Sequence, residues 1–240
     1  MARSQTLLSI CQEAIEDVDG FDIPSTIINN DDPTAVALKR AARKTGRELA
    51  AKVRWQALLS ASPYTFSTIA SNANYDLPSD YGQFAHVTEW DATQMWELLG
   101  PASPALWQWL QNATIASGIR YWFRVSGNYF QLFPTPTAVG TISYAYYSRY
   151  YCTNSGGTAI EDWASDTDLS RIDSELFILG IAYYFRRAKG MPYGAEQADY
   201  MQGILDYQSN DSPKGVVDFA AGINYRAMGV GNLPETGFGA

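Results

Sequence analysis

Histidine is almost absent from this sequence: His86 is the single one in 240 residues. One imidazole cannot build a histidine-rich metal centre, and those sites are excluded. A lone histidine in a β-like segment reads as a structural or surface residue before it reads as a catalytic base. Cysteine is nearly as scarce. Cys11 and Cys152 lie far apart and neither falls in a CxxC or other metal-type spacing, so both read as reduced thiols in a cytosolic protein. The Walker loop, HExxH, GxSxG and dinucleotide GxGxxG patterns are missing. No apolar run approaches the ~20 residues that span a bilayer. The opening MARSQTLLSICQEAIEDVDG has one basic residue and then acids inside its apolar pattern, and so lacks the uninterrupted core of a signal peptide. Positive charge is in the minority, with 17 Lys and Arg against 25 Asp and Glu and a net charge of -8. Such a chain repels phosphate at long range, which argues against tight non-specific duplex binding but leaves room for a local basic patch.

What is present is enough apolar material for a core. Hydrophobic residues make up 46% and charged residues 18%, which is not a disordered composition. Residues 4 to 18 read as an amphipathic helix, with Leu7, Ile10, Cys11, Ala14, Ile15 and Val18 at helical spacing and Gly20 as its stop. Asp32 before Pro33 is a strong start signal for a second helix, expected to run to about Leu58. Leu38, Ala42, Thr45, Leu49 and Val53 form its apolar face. Lys39, Arg40, Arg43, Lys44 and Arg47 crowd the opposite face, and Arg40, Arg47 and Arg54 recur every seventh residue, nearly in line.

After Pro63 the texture changes to strands. Residues 64 to 69 look extended, and Pro78 marks an edge or turn. Ser103 and Pro104 can start a short helix through Trp107 and Leu110. Residues 120 to 133 read as an aromatic hairpin around Ser126, Gly127 and Asn128. Residues 141 to 149 alternate, with Ile142, Tyr144 and Tyr146 on one face. Helix returns near Arg171, where Leu176, Phe177, Gly180, Ile181, Tyr184, Phe185 and Ala188 make a broad apolar face. Arg186, Arg187 and Lys189 complement its dipole in the last turn, and Gly190 closes it. A further helix spans roughly 195 to 207. From Ser209 glycine punctuates the chain and no apolar period persists, the signature of a tail. The fold class expected is therefore α+β: a helical bundle of residues 1–60 and 161–208, a small antiparallel β lobe inserted at 61–160, and an extended tail at 209–240.

Three clusters invite a chemical reading. Asp166, Asp168 and Ser170 imitate the start of a calcium loop, but position six is Arg171 and position twelve is Phe177, so the match fails. The surrounding acids, from Glu161 to Glu175, read instead as capping the helix that follows. The basic stripe is either a solvated face, partly paired with Asp31, Asp32 and Glu48, or a contact with an acidic neighbouring subunit or with DNA in a channel. Tyr144, Tyr146, Tyr147, Tyr150 and Tyr151 could stack sugars or bases, but with no basic groove beside them in sequence they read as a protein interface.

Several segments carry a resemblance when taken in order: YDLPSDYGQF at 75 to 84, GNYFQLFPTPT at 127 to 137, and WASDTDLSRIDSELFILGIAYYFRRAKGMPYGAEQADY at 163 to 200. A Leu-Pro-x-Asp turn, an aromatic strand ending in Phe-Pro-x-Pro, a Trp before an acidic helix start and an Arg-x-Lys-Gly-x-Pro-Tyr helix stop follow one another across most of residues 60 to 205. In this the chain resembles the head-to-tail adaptor, or head-completion, proteins of tailed bacteriophages. The segment 91 to 119 is additional material. The resemblance implies a non-enzymatic structural protein of the virion neck, made in the host cytoplasm, with no cofactor or membrane partner. It implies a ring of twelve copies beneath the portal protein, contact with a tail, nozzle or further neck protein, and passage of DNA without sequence specificity. It also implies a C-terminal segment that reaches the portal, for which Val216, Val217, Phe219, Ile223, Tyr225, Met228, Leu233 and Phe238 are the spaced apolar anchors. Two other functions fit less of the sequence. An aromatic-rich carbohydrate-binding or hydrolytic tail module would need paired carboxylates, with Glu89, Asp91 and Glu97 as candidates. A DNA-packaging factor would rest on the stripe from Lys39 to Arg54.

Overall fold

The computed structural model of the protein describes residues 4–16, 18, 20–85, 87–112 and 120–211. Among these, five helices combine with several small antiparallel sheets, so the α+β expectation holds.

The helices α1 (Leu7–Glu13), α2 (Pro33–Lys52), α4 (Ser174–Ala188) and α5 (Gly194–Asp211) share one apolar core. Helix α4 is its centre and packs against each of the other three. The apolar face read for the first helix is buried throughout, Leu7 to Val18, but the helix is shorter than expected. Its first residues are strand-like: the Ser170 N–H donates to Gln5 O at 3.1 Å, and Thr6 bridges to Leu169. Past Glu13 the bonds tighten to the third residue back, as from Ile15 N to Gln12 O and from Val18 N to Ile15 O, which keeps the same face inward. Helix α2 begins as its sequence demands. The Asp32 carboxylate accepts the Thr34 and Ala35 N–H groups, and Pro33 opens the helix. It stops at Lys52, before Leu58, where Val53 turns extended, and the Leu49 carbonyl at its end accepts both the Val53 N–H at 3.3 Å and the buried Trp55 indole N–H at 3.0 Å. Residues Gln56–Leu58 then make a separate 3-10 turn.

A second core lies among the strands. Strands β1 (Tyr64–Ser67), β8 (Thr141–Tyr144), β4 (Trp90–Asp91) and β5 (Trp96–Glu97) form one sheet in that order. Strands β2 (Asn74–Asp76), β7 (Tyr129–Phe133) and β6 (Trp122–Ser126) form a second, and β3 (Tyr81–Phe84) pairs with β9 (Tyr146–Ser148). The β6–β7 hairpin is where the sequence put it, with Ser126 opposite Tyr129 and Gly127 at φ +60 supplying the positive angle that a two-residue turn needs. The single alternating strand expected at 141 to 149 is two strands in two sheets. The Thr88 hydroxyl accepts the Ala145 N–H at 3.0 Å and interrupts the ladder there, while Ile142, Tyr144 and Tyr146 stay on one buried face. Phe123, Phe130 and Tyr144 stack nearly parallel at the centre, with centroids 5.1 and 5.3 Å apart.

Helix α3 (Pro104–Asn112) covers a satellite cluster in which Trp107 and Leu110 pack on Trp122 and Phe133, and the Arg124 guanidinium lies 4.4 Å over the Trp107 ring. A fourth small sheet, β11 (Ala159–Ile160), β10 (Cys152–Thr153) and β12 (Leu169–Ser170), belongs to the helical core through Tyr151, Cys152 and Trp163. It also delays α4 by three residues relative to the expected start at Arg171, because the Arg171 N–H is taken by Tyr151 O and Asp173 becomes the cap.

Candidate functional site

The acidic run between Glu161 and Glu175 is more widely employed than a helix cap. Asp173 does cap α4 and Glu175 sits in its first turn. Asp166 instead accepts the Ile27 and Ile28 N–H groups at 3.1 and 2.8 Å, tying the loop after α1 to this segment. Asp168 is buried and accepts from Ala164 and Ser165, closing its own turn. Asp162 receives both the Arg47 guanidinium and the Tyr151 hydroxyl. Burial, then the Asp162 bond and charge, raise the Tyr151 phenol well above its ordinary value. No group of three or more His, Cys, Asp or Glu side chains is arranged to hold a metal among the described residues. Both thiols are buried, and burial pushes each of them up, away from reactive thiolate.

Arg171 holds a structural position that the sequence pattern missed. Its guanidinium donates to Tyr150 O at 2.8 Å and to Ala57 O at 3.1 Å, joining the 3-10 turn to the strand exit. Burial lowers it, partly offset by Asp80. The two carbonyl acceptors are distant in sequence and leave no mark on it.

The tyrosines expected at an interface are mostly interior. Tyr144, Tyr146 and Tyr151 are buried in the two cores of this chain, and only Tyr147 and Tyr150 are half-buried. Of the acids considered for glycan chemistry, Asp91 caps its own turn by accepting from Thr93 and Gln94, and Glu89 is buried.

The basic stripe divides in two along α2. At its C-terminal half the cations are paired. Arg47 meets Asp162, Lys52 meets Glu48, and Arg54 contacts Gln83 at 3.4 Å. At its N-terminal half Lys39, Arg40, Arg43 and Lys44 have no ion pair among the described residues, and Asp31 and Asp32 do not reach them. There α2 and the end of α4 border a groove of about 490 Å³. Arg40, Lys44, Arg187 and Lys189 rim it, Ala37, Ala41 and Tyr184 floor it, and no carboxylate of the described residues lines it. Each cation rests on an aromatic or polar neighbour where one is near. Lys44 Nζ lies 4.2 Å over the Tyr184 ring, Arg187 donates to the Tyr183 hydroxyl at 3.0 Å, and Lys189 lies over Phe21. The tail anchors, Val216 to Phe238, and His86 lie outside the described residues.

The family model of the SU10 adaptor protein matches residues 5–216. The chain belongs to the SU10 adaptor protein family. Its match takes in every described helix and strand from α1 to α5, and so covers both cores and both halves of the stripe. The adaptor identity expected from the ordered motifs at 75 to 200 is thereby shown, and it is the identity of a structural phage protein. No curated protein matches the chain. No helix among the described residues is long and apolar enough to cross a membrane.

Proposed function

We propose that this adaptor is a structural subunit of a phage neck, assembled as a ring of twelve copies on the portal and joining it to a tail, nozzle or further neck protein. DNA passes through the ring and is not read. In this reading residues 1–60 and 161–208 supply a helical body, 61–160 an inserted β lobe and 209–240 an extended tail that anchors on the portal. Membership of the SU10 adaptor family over residues 5–216 is the observation that carries the reading. The interior chemistry agrees with it, because Glu89, Asp91, Tyr144, Tyr146 and Tyr151, weighed for catalysis or sugar stacking, are buried within the fold. The glycan-module alternative keeps only scattered exposed aromatics such as Trp109 and Tyr129.

Sedimentation of the full chain, alone and mixed with the portal protein, tests the proposal. A complex of portal mass plus many adaptor copies is expected. A chain that stays monomeric and leaves the portal peak unmoved overturns it. The tail is tested by truncation after Asp211. That cut respects the body of the protein, because Asp211 accepts the Gln56 N–H at 2.6 Å. The truncated chain should melt as the full chain does and fail to bind portal. Equal portal binding by the two would remove the tail from the reading.

A further inference from the structure

The groove between α2 and α4 holds four cations with no acid among the described residues lining it, in a chain whose net charge is -8. An uncompensated concentration of this kind repels itself and is stabilised by any anionic surface that covers it. The rest of the molecule contains a surface of matching character. Helix α5 carries Glu196, Asp199, Asp206 and Asp211 and no Lys or Arg, whereas α2 carries six Lys and Arg against Glu48 alone. Among the described residues, Glu196 alone of the four acids has an ion pair, with Arg186 at 3.0 Å. The inner face of α5 is committed to the core through Tyr200 and Ile204. Its outer face presents Ala198, Asp199, Gln202, Leu205, Asp206 and Ser209, all exposed and recurring at the three-and-four spacing of a single helical stripe. Leu205 is 60% exposed at the middle of that stripe.

Groove and stripe match in polarity as well as charge. The groove has a small apolar floor of Ala37 and Ala41 beside the Tyr184 ring, with cations around it. The stripe has a small apolar centre, Ala198 and Leu205, flanked by Asp199 and Asp206, which lie two turns or roughly 10 Å apart along the helix axis. The groove and the stripe are different surfaces of one chain, which is the requirement for a head-to-tail contact that can close into a ring.

We propose that the α2–α4 groove of one copy receives the outer face of α5 from a second copy of this chain, and that this is the lateral contact of the ring. The inference rests on the ring assembly proposed above. Arg40, Lys44, Arg187 and Lys189 are the cationic side of the contact, and Asp199 and Asp206 of the neighbour are the acidic side. The contact is electrostatic at its rim, so it weakens as salt rises.

Two full-length charge-reversed chains test it. One carries Arg40→Glu and Lys44→Glu, the other Asp199→Lys and Asp206→Lys. All four positions are exposed, so both chains should melt like the wild type, and a melting control reports this directly. Each variant alone sets like charges against each other at every lateral contact, and its self-association, measured by sedimentation at low salt with and without portal, should weaken by about tenfold or more. In an equal mixture the two variants can alternate around an even-numbered ring with every contact complementary. The mixture should therefore recover assemblies that native mass spectrometry resolves as equal numbers of each chain. Wild-type assembly by either variant alone, or a mixture that stays unassembled, overturns the contact while leaving the ring reading intact. Loss on reversing the groove with no effect on reversing α5 also overturns it, and points to another anion such as DNA in the groove. A wild-type chain that never assembles, on portal or off it, overturns the ring reading and this contact together.

Discussion

Gly180 in α4 lies so close to Thr45 in α2 that a Cβ at position 180 would stand 2.4 Å from Thr45 Cγ2 and 2.9 Å from the Tyr200 ring. Glycine is usually a poor helix residue, and exchanging it for alanine in an exposed helix would gain roughly 1 kcal/mol. Here the opposing effect is larger. Thr45 is fully buried and β-branched, so its methyl has no free rotamer to retreat into. Gly180→Ala should destabilise the protein by roughly 1–3 kcal/mol. Adding Thr45→Ala should return part of that loss, since the contact with Thr45 disappears while the Tyr200 contact remains, and the Thr45 hydroxyl has no hydrogen-bond partner among the described residues. Denaturant melts of the three variants check the pair. A double variant no more stable than Gly180→Ala would show that the two residues are not coupled.

Phe177, one helical turn before Gly180, is fully buried and packs edge-on against Trp163, with centroids 5.6 Å apart. Truncation to alanine leaves a cavity at the centre of the helical core, and the expected loss is roughly 3–5 kcal/mol. A measured loss below about 1 kcal/mol would mean that this face of α4 is not interior.

Glu48 sets an acid limit to stability. Burial would raise its carboxyl, but the hydrogen bonds from Lys52 and Tyr184, with the Lys52 charge, outweigh burial and hold it below the ordinary value of 4.5. A carboxyl lower in the folded than in the unfolded chain adds stability above the unfolded value, and that stability is lost as pH falls through the folded one. Glu48→Gln should therefore lower the melting temperature at neutral pH. Its deficit should shrink as pH drops below 4.5. A deficit independent of pH would assign the loss to packing and not to charge.

The elements that were legible in the sequence are those specified by neighbours along the chain. Asp32 and Pro33 fix the start of α2, Gly127 turns the β6–β7 hairpin, and the apolar spacing of α4 places Phe177 inward. What escaped depends on partners far away in sequence. Nothing local announces that Thr88 will interrupt the strand at Ala145, that Asp166 will hold Ile27 and Ile28, or that the Trp55 indole will fold back onto the Leu49 carbonyl at the end of α2. The same holds for the candidate site. Its cations were visible on α2 and, separately, at the end of α4 as dipole partners, but only packing α2 on α4 brings Arg40 and Lys44 to one groove with Arg187 and Lys189.

Tyr151 is the residue whose alkaline behaviour is most exposed to test. Its ring fills the space against Gly46, where a Cβ would come within 2.3 Å of it, and its hydroxyl donates to Asp162 at 2.5 Å. Burial and then the Asp162 carboxylate raise the phenol above its ordinary value of 10.0. A folded value above the unfolded one gives stability that is fully present below the unfolded value and is lost as pH rises toward the folded one. Tyr151→Phe keeps the ring and removes the donor, leaving Asp162 with Arg47 alone. At neutral pH that should cost roughly 1.5–3 kcal/mol, the range for a hydrogen bond to a charged acceptor. Above pH 10.0 the wild type begins to lose what the variant never had, so the two stabilities should converge. Paired denaturant melts across this range, with ultraviolet titration of the phenols, measure the convergence. A gap that stays constant above pH 10.0 would mean that Tyr151 ionises no differently in the folded and unfolded chains, and that its bond to Asp162 is not a source of stability.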